Sequence, residues 1–231
     1  MIFLTDLEAH LRQQKAESIT LLSCMIAMLS IYIFLYGYAV MDWEWRISAE
    51  NLTYIAEGLG LLLCLYFIAR FRLTFRDLGI SRASQRQGIP LLLVYLACTV
   101  AGLFGLRWVL LAFNSPYVTR NNWLGWRMFA YVSPLTSLYP EEVFLQEFLA
   151  RCVMQESLQK LIEGPHRVVF TVTITSLLFG ALHLAYGFVF MCSAAAMMAL
   201  FSTYYAKTHN LLATCLLHYV MSAVALMIGL R

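Results

Sequence analysis

Polar sequence is what this chain has too little of. Charged residues fill 13% of its 231 positions and apolar residues 61%, whereas an ordinary soluble domain carries roughly 25% and 45–50%. A soluble core must be wrapped in a polar surface, and too few polar residues are present to make one. With a mean hydropathy of +0.71, the bilayer is the expected solvent for most of the chain. The short segments of alternating polarity that build a transmembrane β-barrel are missing. Long continuous apolar runs stand in their place and predict an all-α, polytopic transmembrane helix bundle. A basic stripe is also missing. Net charge is only +3, so no nucleic-acid partner is expected. No CxxC pair exists. Cys24, Cys64, Cys98, Cys152, Cys192 and Cys215 each stand alone in an apolar run, which argues against a zinc knuckle or dithiol motif and for small buried packing residues. Repeats, linkers and low-complexity stretches are absent, which predicts a single integral domain.

What is present reads as about seven spans. Residues 1–17 mix Asp6, Glu8, Arg12, Lys15 and Glu17 with apolar positions and predict an amphipathic segment on the membrane surface. The apolar run after them lacks the small-residue cleavage site of a signal peptide and predicts a first span over 18–40. The polar, Trp-bearing stretch 41–50 suits an interface, and a second span follows near 51–71. Arg70, Arg72, Arg76, Arg82 and Arg86 then face a lone Asp77. The positive-inside rule puts that loop, and with it the N-terminus, in the cytoplasm. A third span is expected near 89–113, a polar stretch over 114–126 and a short interfacial piece over 127–138. Pro140 suits a helix start and Gly164-Pro165 a stop, so a fourth helix is expected over 140–162. The remaining spans fall near 167–187, 188–206 and 211–230. The basic loops around 160–167 and 207–209 lie on the same side as the first. The chain thus divides into the N-terminal segment 1–17, N-terminal transmembrane helices over 18–138 and a core over 139–231.

An ionisable side chain inside a span costs roughly 2.5–3.5 kcal/mol on insertion scales and marks a candidate site. The fourth helix reads Pro140-Glu141-Glu142-Val143-Phe144-Leu145-Gln146-Glu147-Phe148-Leu149-Ala150-Arg151. Glu147 and Arg151, four apart, share one helix face. The fifth helix carries Phe179-Gly180-Ala181-Leu182-His183, and the seventh His218-Tyr219-Val220-Met221-Ser222. A carboxylate can take a proton from water, and an imidazole can steady that water or the oxyanion made when it attacks an amide. A helix bundle strengthens each contact by lowering the dielectric. The bland alternatives are dipole-stabilising carboxylates at Glu141 and Glu142, a structural Glu147–Arg151 pair, and interhelical hydrogen bonding by His183 and His218. Glu57 and Arg107 either pair or line a cavity. Ser193-Ala194-Ala195-Ala196 suits close helix packing.

The order of these motifs over about 139–230 resembles the CPBP family of membrane-embedded CAAX prenyl proteases and bacteriocin-processing (Abi-type) enzymes. Its pattern is EExxxR, then FxxxH, then HxxxN or HxxxD. Phe179 to His183 matches the second motif in an LLFGALH setting. Two registers fit the first. In one, Glu141-Glu142 is the pair and Gln146 takes the arginine position. In the other, Gln146-Glu147 is the pair and Arg151 the arginine. The second register keeps the Glu–Arg helical pair but puts a neutral amide, which cannot act as a base, where the family has its first glutamate. Ser222 stands where the family has Asn or Asp. The resemblance implies an intramembrane endopeptidase in which Glu147 or Glu142 activates water with His183. His218 and Ser222 would hold the oxyanion, and Arg151 would orient the glutamate. A membrane-associated or lipidated peptide is the implied substrate, and a bacterial inner membrane the implied location. Glu147, His183 and His218 are the ligand set if a divalent metal such as zinc is used; a glutamate–water mechanism needs none. The rival readings are a non-catalytic adaptor or immunity protein of the same fold, and a small transporter, against which the lack of an inverted repeat counts.

Overall fold

A computed structural model describes residues 2–40, 49–76, 78–80, 82–119, 139–183 and 187–230. These residues form helices joined by turns, with one isolated bridge between Val118 and Leu230. The helices are α1 (Ile2–Val40), α2 (Ala49–Phe71), α3 (Arg82–Ala112), α4 (Tyr139–Phe148), a π-helical segment (Leu149–Gln155), α5 (Glu156–Leu161), α6 (Arg167–Leu182), α7 (Phe188–Thr208) and α8 (Leu211–Met227). Most of the interfacial stretches expected over 41–50 and 114–126, and all of 127–138, lie outside the described residues.

Three elements differ from expectation. The charged segment 1–17 is not separate from the first apolar run. Both belong to α1, and no glycine or proline stands between residues 1 and 36 to break it. α3 begins at Arg82, upstream of the expected 89, and runs through Pro90. Proline there removes one backbone donor without ending the helix. The fourth helix covers the expected range but widens into π geometry over its middle seven residues. Cysteine burial is also less uniform than expected: Cys64 is buried, while Cys24, Cys98 and Cys192 are exposed.

Two stretches, Gly88–Ala112 and Phe188–Thr208, are long and apolar enough to cross a membrane. Only 11% and 28% of their most apolar windows are buried, unlike the core helix of a soluble protein. Gly58–Arg70, Arg167–Leu182 and Leu211–Met227 are apolar but shorter.

The chain forms two compact units, each built from two stretches. The first comprises Met1–Leu73 and Phe148–Thr203. Within it α1 packs along α2, the π segment and α5, and α6 packs on the π segment and α5. Ala150, Phe179 and Met198 form a buried cluster. Gly180 lets α6 approach α7 closely. A Cβ added there would lie 2.7 Å from Ala195 Cβ and 3.0 Å from the Met191 carbonyl oxygen. Gly180→Leu is therefore expected to destabilise the protein by about 1–3 kcal/mol through overpacking, read as a lower Tm in detergent, with Gly180→Ala milder.

At the surface of this unit Lys15 Nζ donates to Glu163 Oε1 at 2.5 Å. That hydrogen bond, with the ammonium charge, holds the Glu163 carboxyl below its ordinary 4.5. A lowered carboxyl contributes stability above its ordinary value, and the contribution disappears as pH falls through the lowered one. The Tm deficit of Lys15→Ala should therefore be present at about pH 7, vanish well below 4.5 and shrink in about 1 M salt.

The second unit comprises Thr74–Glu147 and Tyr204–Arg231. Here α3 packs against α8, and both ends of α8 are tied down. Asn210 caps its N-terminus by accepting from the Ala213 N–H at 3.0 Å. At the other end buried Arg107 donates to the carbonyls of Ile228 and Thr119, and the Thr119 N–H donates to the Gly229 carbonyl at 2.9 Å. A cation at a helix C-terminus is favoured by the dipole, which suits Arg107 to this position. The side chain of Glu57, read with Arg107 as either an ion pair or cavity lining, lies outside the described ones.

Candidate active site

α4 opens with Pro140 in its first turn, and Glu141 and Glu142 follow. This is the end of a helix where carboxylates are favourable. Glu141 is exposed, while Glu142 and Gln146 are half-buried. Val143 and Glu147, four apart, turn inward: Val143 is 2% exposed and Glu147 fully buried. Val143 is a natural occupant of such a position. Glu147 needs a partner there, because an unpaired buried carboxylate carries a large desolvation cost.

That partner comes from α8. His218 is buried, and its Nδ1 lies 2.8 Å from Glu147 Oε1. An ionised carboxylate only accepts, so the His218 Nδ1–H donates and the ring is held by a charge-assisted bond. Nε2 is then the ring position left for proton exchange. Both residues belong to the second unit. Ser222, one turn beyond His218, is half-buried. Among the described residues, none of Glu142, Gln146 and Ser222 makes a side-chain hydrogen bond in the structure.

The first unit holds the other two expected residues. His183 follows the last turn of α6, and its Nδ1 lies 2.9 Å from the Phe179 carbonyl oxygen. A carbonyl only accepts, so Nδ1 carries the proton, and in the neutral form of the ring the lone pair stands at Nε2. The ring lies 4.6 Å from that of Phe179 and stacks at 5.7 Å on that of Phe190. The four-residue spacing of Phe179 and His183 thus gives one helical turn two contacts, a backbone hydrogen bond and ring packing.

Arg151 is fully buried. It donates to Gln155 Oε1 at 2.9 Å and to Ser202 Oγ, and it contacts Met198 Sδ. Gln155 Nε2 in turn donates to the Ser202 carbonyl at 2.9 Å. Arg151 and Gln155 both stand in the π segment, where the Glu156 N–H reaches back five residues to the Arg151 carbonyl. Wide turns of this kind are rare and concentrate at functional sites. Gln155 and Ser202 were not among the expected residues. Gln155 was legible as a polar residue one turn past Arg151 in an apolar helix, whereas Ser202 carried no signal beyond being polar within a span.

A catalytic zinc ion takes three protein ligands. Among the described residues no three His, Cys, Asp or Glu side chains gather within reach of one ion. Within the second unit, Glu147 and His218 supply two donors.

Residues 128–224 match the family model described as Type II CAAX prenyl endopeptidase Rce1-like. This stretch, under half of the chain, is similar to the Rce1-like family. The match spans all three motifs, from the α4 glutamates to Ser222, so the resemblance read from their order is met. No curated protein and no solved structure gives a significant match to the chain.

Proposed function

We propose that this chain is a membrane-embedded endopeptidase of the CAAX prenyl protease type, hydrolysing a peptide bond in a membrane-associated or lipidated peptide. The observation that carries the reading is the buried Glu147–His218 contact inside the Rce1-like stretch. A carboxylate held by an imidazole in a low-dielectric site is a competent general base. Glu147 takes a proton from water as its oxygen attacks the scissile carbonyl, forming a tetrahedral oxyanion. The same proton passes to the leaving amine as the C–N bond breaks, leaving an acid and an amine. His218 keeps the carboxylate in place and, with the Ser222 hydroxyl, favours the oxyanion. The family pattern assigns His183 to the water and Arg151 to the glutamate. This assignment takes the register in which Gln146-Glu147 is the motif pair, and the burial of Glu147 beside the partial exposure of Glu142 supports it. Seven spans, a cytoplasmic N-terminus and a bacterial inner membrane complete the reading. The spans and the orientation rest on the apolar runs and the basic loops, and the location on the family resemblance.

A second reading is favoured by Gln146 and Ser222. An amide stands where the family has its first glutamate, and a hydroxyl where it has Asn or Asp. On this reading the chain is a non-catalytic relative that binds such peptides without cutting them. One assay separates the two. The purified chain is reconstituted in liposomes with a fluorogenic, prenylated, CAAX-type peptide. Cleavage is expected, and binding without cleavage overturns the endopeptidase reading in favour of the second.

A further inference from the structure

We infer that the Thr171 and Thr175 hydroxyls of α6 form an internal binding site for one water molecule. Both residues belong to the first unit, where α6 packs on the π segment and on α5. Both are fully buried, and among the described residues neither hydroxyl has a hydrogen-bond partner.

A hydroxyl in an apolar helix can satisfy itself by donating to the carbonyl four residues back. Ser176, next to Thr175 on α6, donates in this way to the Val172 carbonyl at 2.6 Å. Thr20, Ser30, Ser193 and Thr203 do the same at 2.7–2.9 Å. Thr171 and Thr175 depart from this habit, although a buried hydroxyl left unpaired carries a desolvation cost. Buried polar groups that find no protein partner are ordinarily satisfied by an internal water. The spacing fixes the number. Side chains four apart on a helix stand about 5–6 Å apart. That is too far for one hydroxyl to reach the other, and close to two O–H···O bonds of about 2.7–2.8 Å placed end to end. One water between them accepts from one hydroxyl and donates to the other, within the roughly two to four bonds that an internal water makes. Two neutral oxygens do not make a cation site, for which about six oxygens are needed. The pair is also separated from His183. Phe179 stands between Thr175 and His183 on the same four-residue stripe, buried, with its ring 4.6 Å from the imidazole.

Exchange of threonine for valine tests the inference, because valine keeps the shape and removes the hydroxyl. The full chain in liposomes is compared with Thr171→Val, Thr175→Val and the double variant. Two quantities are read: the Tm, and the transfer of magnetisation from water to the threonine side chains in solid-state NMR. Removing an unsatisfied buried hydroxyl stabilises a protein, whereas removing one that holds a water strands the other partner and destabilises it. Each valine variant should therefore lower Tm by about 2–4 °C. The double variant should fall no further than the singles, since one water serves both hydroxyls. In wild type both threonines should receive transfer from water, and in each single valine variant the remaining threonine should lose it. Thr175→Ser, which keeps the hydroxyl, should preserve the transfer to Thr171. A Tm unchanged or raised in either valine variant overturns the inference. So does the lack of transfer from water to Thr171 and Thr175 in wild type, or transfer that survives at the remaining threonine in the single variants. Neither readout depends on cleavage of a peptide.

Discussion

Glu147→Gln is expected to lower kcat/KM for the anchored peptide by about 10²–10⁴-fold, the range for loss of a positioned general base. The substitution isolates chemistry from packing. Glutamine has nearly the shape of glutamate, and its carbonyl oxygen can still accept from the His218 Nδ1–H that lies 2.8 Å from Glu147 Oε1. The helix pair therefore keeps its contact while the proton acceptor is lost. Glu147→Ala does both kinds of damage. It strands a buried imidazole, and its cost in stability should reach about 3–5 kcal/mol, as for other buried pairs broken on one side. The same comparison decides the register. Loss of rate in Glu142→Gln with retention in Glu147→Gln would assign the base to the first turn of α4 and sink the Glu147 mechanism.

The largest effect on stability is expected at Arg151. Arg151→Met removes a buried guanidinium and leaves Gln155 Oε1 and Ser202 Oγ without the donor they now have. Hydrogen bonds to a charged group contribute roughly 1.5–3 kcal/mol each, and a stranded buried polar atom costs about 1–3 kcal/mol. A loss of about 3–5 kcal/mol follows, with the usual discount for non-additivity. Arg151→Lys restores the charge but not the planar fork that reaches Gln155 and Ser202 together, so it should recover only part of the stability. Thermal unfolding of the two variants in one detergent measures the difference. A lysine variant as stable as wild type would show that charge alone, and not the three-point geometry, holds this region.

The all-helical character, most helix boundaries and the likeness to the Rce1-like family were legible from the residues. Each is a local property: apolar runs long enough to span, glycine and proline at the breaks, and motifs whose members sit within one helical turn. Phe179 and His183 are an example, since their contacts arise within a single turn of α6. The continuity of α1 was legible too, in the unbroken stretch without glycine or proline, but the charges of residues 6–17 suggested a separate surface helix. A change of polarity does not itself break a helix.

Partnerships across helices were not legible in the same way. Arg107 read as one half of an ion pair or as cavity lining, and the structure shows it donating to backbone carbonyls at the end of α8. An arginine fork donates to a carbonyl as readily as to a carboxylate, so composition could not choose between them. The π segment was invisible, because Glu141 to Gln155 contains no glycine or proline to announce a wide turn. Arg151 and Gln155 in that segment reach Ser202, about fifty residues away in the chain, and helical periodicity carries no information over that distance.

The sequence by itself determined that this is a helical chain with long apolar runs, and which few polar residues stand inside them. The reason is the cost of a charge in an apolar medium, which makes every such residue stand out. Only the tertiary structure decided that Glu147 faces His218 and that Arg151 faces Gln155 and Ser202. A buried polar group must find a partner, but which one it finds depends on how the helices pack.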